Sequence, residues 1–482
     1  MVNLINKIFA IADLQPKALA VKGAGVEYDF QYFKKSVIKV AALMRSSGVA
    51  PGHVVGLRMH GSLQAIFSLA VMHEGAVAFS AKAPILTKYR NDIDFVFSDE
   101  HALVLMAKNG ILVNPDLLIK AEGLSAQIQP HEYESENSLV HLVFSSGTTG
   151  VPKGVCFTSA DLERRTSAAN DNWMPSKPFL CELGLDTVSG MQTLFYSLLS
   201  GETYLLPSSA EANAKLIYEM QVRSIKTSPA KLRDLLEQFS ESKSLAESLI
   251  EIQVAGGLLS SQVGTEIANT LGVKLTYLYG STEVGTVTKG NFSPVDPRRV
   301  GDVVSSAVVQ IVDDNGVALP FESEGVLRIK TSYQANGYWK LQDSGSSSFR
   351  NGWFYPGDRA KVSENGTMHV LGRVDEVVNL AGIKIDPGWI DSQISSYRGL
   401  KDFACFAIPD ENLLVDKLAI AIVFDSEINF PNLIEYMNSS LGESAPQAVV
   451  RVLEIPRNEL GKPNRLKLRA DFVDALARRN AL

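Results

Sequence analysis

The chain reads as an α/β protein of at least two domains. Its 482 residues are more than one ordinary hydrophobic core organises. From residue 17 to 97, helical and strand-like patterns alternate, the signature of a doubly wound layer. From residue 300 to 339 the pattern changes to apolar/polar alternation around an Asn315-Gly316 turn, which predicts antiparallel β-structure.

Taken in order, residues 1–14 place Leu4, Ile5, Ile8, Phe9 and Leu14 at helical spacing, with Lys7 and Asp13 between them. That predicts an amphipathic helix docked on a core, not a signal peptide. Residues 28–46 predict a helix that Gly48 stops, 54–59 a strand and 62–73 the next helix. Residues 93–97 read as the end of a further helix and 102–106 as a strand; residues 112–137 carry no pattern that assigns a role. The most apolar run, 65–80, is interrupted by His73 and Glu74, so no segment is expected to span a membrane.

Composition narrows the class. Hydrophobic residues at 45% and charged residues at 21% are ordinary for a soluble globular protein, and a net charge of −7 opposes nucleic-acid binding. Cys156, Cys181 and Cys405 are odd in number and far apart, which fits neither a disulfide framework nor a zinc pattern. A reducing compartment, the cytoplasm, is the expected location.

The most informative stretch is 143–155, Val-Phe-Ser-Ser-Gly-Thr-Thr-Gly-Val-Pro-Lys-Gly-Val, entered from an apolar strand at 138–144. Ser145, Ser146, Thr148 and Thr149 supply hydroxyl donors, Gly147, Gly150 and Gly154 allow close backbone approach, and Lys153 adds a mobile positive charge. Such a set suits phosphate oxygens. A solvated Ser/Gly turn rarely combines all of these behind a strand. Pro152 stands where a Walker loop needs glycine, so the loop is of another kind.

This loop resembles the phosphate loop of the adenylate-forming ligases: acyl- and aryl-CoA synthetases, peptide-synthetase adenylation domains and luciferases. The resemblance extends over roughly residues 20–470. Two strand-to-glycine passages follow, 250–258 into Gly256-Gly257 and 275–279 into Gly280-Ser281-Thr282-Glu283. Parallel strands ending in such loops build a nucleotide crevice at the carboxyl edge of a sheet. In the family the first passage faces adenine, Tyr279 and Gly280-Ser281 lie in the second, Thr282 contacts phosphate and Glu283 holds Mg²⁺; a lone Thr-Glu would be a common helix start. The run 352–358 ends in Asp358, matched to the residue that holds the ribose hydroxyls, though an isolated Pro-Gly-Asp is a turn. Arg373 matches a ribose/phosphate arginine, Asp375 a hinge, and Lys462, in Gly461-Lys462-Pro463, the catalytic lysine.

The resemblance implies a large N-terminal domain (1–373) of two doubly wound α/β subdomains plus a β-barrel. A small mobile α+β C-terminal domain (374–482) would carry Lys462. It also implies ATP and Mg²⁺ as cofactors, a small carboxylic acid as substrate, and CoA or a carrier-protein phosphopantetheine thiol as acceptor.

The family's acid pocket falls at residues 182–192. Here that region offers Asp186, Thr187, Ser189 and Gly190, without the histidine many acyl-activating members carry. Asp186 suits either a substrate hydroxyl or amino group, or a cap on the following helix. Asn379 replaces a customary lysine, and Trp389 stands where a glutamate commonly follows Pro387. Both lie on the face used in the second half-reaction. No Ser–His nucleophile elbow and no histidine cluster is present among the seven histidines, which leaves positioning and charge stabilisation as the available chemistry. The expected reaction is acyl-adenylate formation followed by thioester formation, with an aryl or short to medium acyl acid favoured. The alternatives are a free-standing amino-acid adenylation enzyme, with Asp186 on the amino group, and a non-catalytic nucleotide-binding protein on the same fold.

Overall fold

The computed structural model describes residues 4–480, apart from 136, 146–152, 258, 260, 341–347, 375, 377, 381–382, 396, 398–399, 401, 410–415, 424–427 and 458–462. The first sheet has six strands in the order Gly110–Leu112, Phe95–Ser98, Val54–Arg58, Val77–Ser80, Leu139–Ser145, Lys153–Thr158. All neighbours run parallel except the last pair. Helices Leu4–Leu14, Phe30–Ser46 and Ser62–His73 pack on it, and Phe9, Phe33, Phe67, Phe97 and Phe157 share one core. Burial of the helix Ser62–His73 on almost every side explains its near-uniform apolar sequence.

A second sheet begins with the parallel strands Phe179–Cys181, Ser224–Thr227, Glu251–Ala255 and Lys274–Ser281. It continues without a break into the antiparallel strands between Gly285 and Arg373, within a single twelve-stranded hydrogen-bonded sheet. The antiparallel part has its own core of Val284, Val300, Leu327, Ile329, Phe354 and Met368. The helix Val188–Leu199 lies between the two sheets. Met191, Leu194, Phe195 and Leu198 join the first core, while Tyr196 packs with Trp173, Phe179 and Leu278 on the second sheet.

Among the described residues from 378 onward are a two-stranded ribbon, a three-stranded sheet and three α-helices around separate apolar clusters. This part touches the rest through Asp386, which abuts Gly372, and through Trp389, whose ring lies 4.6 Å from the Arg298 guanidinium. Gly372 has φ +125°, and a Cβ there would come within 2.6 Å of Asp386.

Two expectations are corrected, and a helix appears in a stretch to which no element was assigned. Residues 102–106 are not a strand but lie in the helix His101–Met106, with Leu103 buried and Leu105 and Met106 exposed. Residues 93–97 do not end a helix: Phe95–Ser98 is a central parallel strand. A run of five apolar residues suits either state until its neighbours are known. Within 112–137, Asn114 caps a helix, Pro115–Glu122, accepting from the Leu117 N–H at 2.9 Å. No helix among the described residues is long and apolar enough to cross a membrane.

Candidate active site

The carboxyl edges of the two sheets meet at one crevice. Ser145 and Lys153 face each other in register at the stem of the hairpin formed by Leu139–Ser145 and Lys153–Thr158, and Ser145 Oγ donates to the Lys153 carbonyl at 3.4 Å. The intervening loop, with Ser146, Gly147, Thr148, Thr149 and Gly150, lies outside the described residues. The stem is tied to the antiparallel unit by the Trp339 N–H, which donates to the Gly154 carbonyl at 2.7 Å. The Lys153 ammonium lies 5.0 Å from the centre of the Tyr338 ring, and the Tyr338 hydroxyl donates to Glu283 Oε1 at 3.0 Å. Burial, and then the neighbouring Glu283 charge, hold that phenol protonated far above its usual range. Lys153, Tyr338 and Glu283 therefore form a continuous line from the first loop to the second.

Glu283 sits in a tight turn between Lys274–Ser281 and Gly285–Asn291. The turn needs Gly280, because a Cβ there would fall 2.0 Å from the Gly285 carbonyl. Beneath it lies Arg165, a residue no motif singled out. Its guanidinium donates to the backbone carbonyl of Glu283 at 2.8 Å and to that of Tyr333 at 3.1 Å, and stacks on Phe157. Burial lowers its pKa to about 10, so it remains charged at neutral pH. The Glu283 carbonyl also accepts from the Ala335 N–H at 2.8 Å, which fixes the turn from two sides. Thr282 is half-buried beside it, and Ser281 Oγ is buried with no hydrogen-bond partner among the described residues. An orphaned hydroxyl at this edge fits a phosphate oxygen.

Across the crevice, Asp358 and Arg373 are register partners, with Arg373 donating to Asp358 Oδ1 at 2.8 Å and to the Pro356 carbonyl at 2.6 Å. The Tyr279 hydroxyl donates to Asp358 Oδ2. Burial, then the Asp358 charge, drive the Tyr279 phenol well above its ordinary value. Gly256, at φ +83°, has open space where a side chain would stand, and Gly257 lies against Pro229. Tyr279, Asp358 and Arg373 thus form one hydrogen-bonded group; the strand of Tyr279 runs on into Gly280, Ser281, Thr282 and Glu283, while Gly256 and Gly257 follow the neighbouring strand Glu251–Ala255. Asp375 and Lys462 lie outside the described residues.

The 186–190 passage departs from one expectation. Thr187, not Asp186, caps the helix Val188–Leu199: its hydroxyl accepts from the Gly190 N–H at 3.2 Å and donates to the Gly184 carbonyl at 2.8 Å. The Ser189 carbonyl accepts from the Thr193 hydroxyl, and a Cβ at Gly190 would meet the Gly184 carbonyl at 2.2 Å. Thr187 and Gly190 thus shape the passage. Asp186 is left to line a cavity of about 150 Å³ with Met59, Gln64, Ala81, Tyr204 and Leu206.

No group of three or more metal-ligating side chains occurs among the described residues. Glu283 offers one buried carboxylate next to the orphaned Ser281 hydroxyl. That donor set fits a hard cation completing its shell with phosphate and water oxygens.

The family described as "AMP-binding enzyme" matches residues 8–339. A medium/long-chain-fatty-acid–[acyl-carrier-protein] ligase of Mycobacterium tuberculosis is 23% identical over 97% of this chain and 95% of its own length. A 3-hydroxybenzoate–CoA/4-hydroxybenzoate–CoA ligase of Thauera aromatica is 26% identical, over 73% of this chain and 68% of its own. Among solved structures, the o-succinylbenzoate CoA synthetase of Bacillus subtilis in complex with its acyl-adenylate intermediate superimposes with a TM-score of 0.85 at 20% identity. It covers 96% of this chain and 98% of that one. At that identity the structural likeness is one of fold.

Proposed function

The chain belongs to the AMP-binding enzyme family, and we propose that it is an AMP-forming acid–thiol ligase with the crevice above as its active site. What supports this reading is the line from Lys153 through Tyr338 to Glu283, which bridges the two sheets, together with the Tyr279–Asp358–Arg373 group on the adjoining strands.

In the first half-reaction a carboxylate oxygen attacks the α-phosphorus of ATP, the bond to the β-phosphate bridging oxygen breaks, and pyrophosphate leaves with that electron pair. Two anions meet and negative charge builds on the phosphate oxygens, so positive groups and hydrogen-bond donors lower the barrier. Asp358 accepts from the ribose hydroxyls and Arg373 orients that carboxylate. The 145–153 loop contacts the outer phosphates. Lys462 bridges the carboxylate and the α-phosphate. Thr282 contacts phosphate, and Glu283 would hold Mg²⁺, which neutralises phosphate charge when bound.

In the second half-reaction a thiolate attacks the acyl carbon and AMP leaves with the acyl C–O electron pair. CoA and carrier-protein phosphopantetheine present the same thiol, and relatives named for each acceptor match the chain. Residues 374–482 swing about Asp375 between the two steps, withdrawing Lys462. An aryl or short to medium acyl acid is favoured as substrate.

Asp186 supports a second reading. It does not cap a helix and instead lines a small cavity, which suits an amino-acid substrate whose ammonium it would pair.

The test is product analysis by mass spectrometry. Enzyme, ATP, Mg²⁺ and an acid panel should yield an acyl-adenylate, and a thioester once CoA or a pantetheine thiol is added. ATP consumed to ADP, or no adenylate with any acid, would overturn the assignment.

A further inference from the structure

The two faces of the second parallel sheet differ. One is dry, with Leu180, Ile225, Ile252, Val254, Leu275 and Tyr277 in a single apolar core. The other, facing the helix Val188–Leu199, carries a buried polar row, Cys181, Lys226, Gln253 and Thr276, aligned across four strands. Buried rows of this kind are costly unless each group is satisfied. Thr276 is satisfied, donating to Glu251 at 2.7 Å. Two groups are not.

Lys226 is 2% exposed, and its ammonium rests 4.3 Å from the centre of the Trp173 ring. No hydrogen bond or ion pair to it is found among the described residues. Burial lowers its pKa to about 8; the Cys181 thiol raises it and the Lys289 charge lowers it further. Beside it, fully buried Gln253 commits its Nε2 to the Trp173 carbonyl at 3.0 Å, which turns Oε1 away from that carbonyl. Among the described residues that Oε1 has no donor. A buried donor and a buried acceptor thus sit on adjacent strands, in register, without satisfying each other.

We propose that Lys226 and Gln253 read a hydroxyl group at the far end of the acid, so that the substrate is a hydroxylated aromatic acid; this rests on the ligase reading above. A hydroxyl meets both needs at once, accepting from Lys226 Nζ and donating to Gln253 Oε1. A carboxylate there would set its lone pairs against Oε1, and an ammonium would face Lys226 with like charge. The depth fits. Lys226 and Gln253 lie two residues below the row of Ala255 and Leu278, from which Gly256 and Gly280 continue to the crevice edge. Two strand residues span roughly 7 Å, about the reach of a benzoate ring from its carboxyl to a para hydroxyl. On the same face of the sheet, Trp173, Phe179, Tyr196 and Leu278 pack as a buried, mostly aromatic cluster against which a flat ring would stack.

The test compares two acid pairs, 4-hydroxybenzoate with benzoate and 4-hydroxycinnamate with cinnamate, with terephthalate as the dianionic control. Affinity is read by titration calorimetry on the full chain, turnover by ATP–pyrophosphate exchange. At least one hydroxylated acid should bind about 100-fold or more tightly than its unhydroxylated partner, because a site built for a hydroxyl is left unpaired without it. Lys226→Met and Gln253→Leu should each collapse that ratio toward one while retaining the thermal midpoint of the wild type. Equal binding within both pairs, preference for terephthalate, or an unchanged ratio in both folded variants would overturn the proposal. Discrimination in binding without exchange would keep the pocket assignment and remove the ligase reading. Exchange without discrimination would do the reverse.

Discussion

Asp358 and Arg373 face each other across a hairpin as a 2.8 Å ion pair, and the second carboxylate oxygen of Asp358 accepts from Tyr279. Neither carboxylate oxygen is fully used by a single donor, so both retain lone pairs for ligand hydroxyls. The strand pairing holds the aspartate in place whether or not a nucleotide is bound.

Asp358→Asn should therefore weaken ATP binding about 10- to 100-fold, the range expected for losing hydrogen bonds to a charged acceptor. Calorimetric titration with ATP measures it directly. An unchanged affinity would remove Asp358 from the ribose site.

Glu283→Gln isolates charge from structure. The amide oxygen can still accept from Tyr338, and the backbone carbonyl keeps its bonds from Arg165 and Ala335. The fold should survive while magnesium-dependent exchange falls about 10²- to 10³-fold. A large drop in melting temperature would instead mark Glu283 as structural.

Asp386 makes a pH prediction. Burial raises its carboxyl to about 6, against the attraction of Arg465. An acid raised in the folded state adds stability below its unfolded pKa and loses it as pH rises through the folded one. Stability contributed at this site should thus decline between about pH 4 and pH 6. Asp386→Asn keeps the helix cap on the Gly388 N–H and removes the titration. At pH 8 the variant should be more stable than wild type by about 1–3 kcal/mol, a gain that vanishes below about pH 4. Denaturant melts at both pH values decide it.

How far the sequence reaches depends on range. Gly280-Ser281-Thr282-Glu283 and Asp358 are legible as motifs because their chemistry is fixed locally, and the Tyr279 hydroxyl ties Asp358 to the strand that carries the first of them. Arg165, Tyr338, Trp173, Lys226 and Gln253 are not: each acts through partners dozens of residues or more away, or through a register between strands. Lys226 left one signal, a charged residue inside Ser224–Thr227, a strand buried along its whole length. Asp186 and Thr187 are both good caps, and only backbone geometry separates them. The helix His101–Met106 is not legible, because its five successive apolar residues have no period of their own.

Lys462→Ala should slow adenylate formation by on the order of 3 kcal/mol or more in barrier height while largely sparing thioester formation from preformed adenylate. Single-turnover assays of each half-reaction separate the two. Equal loss in both would contradict the swing about Asp375.

The most direct measurement is acid-dependent ATP–pyrophosphate exchange by the full chain with Mg²⁺, over benzoates, fatty acids and amino acids. The account predicts strong exchange with one class of acid and none without acid. ATP binding with no exchange for any acid would contradict it, leaving a nucleotide-binding protein on a ligase fold.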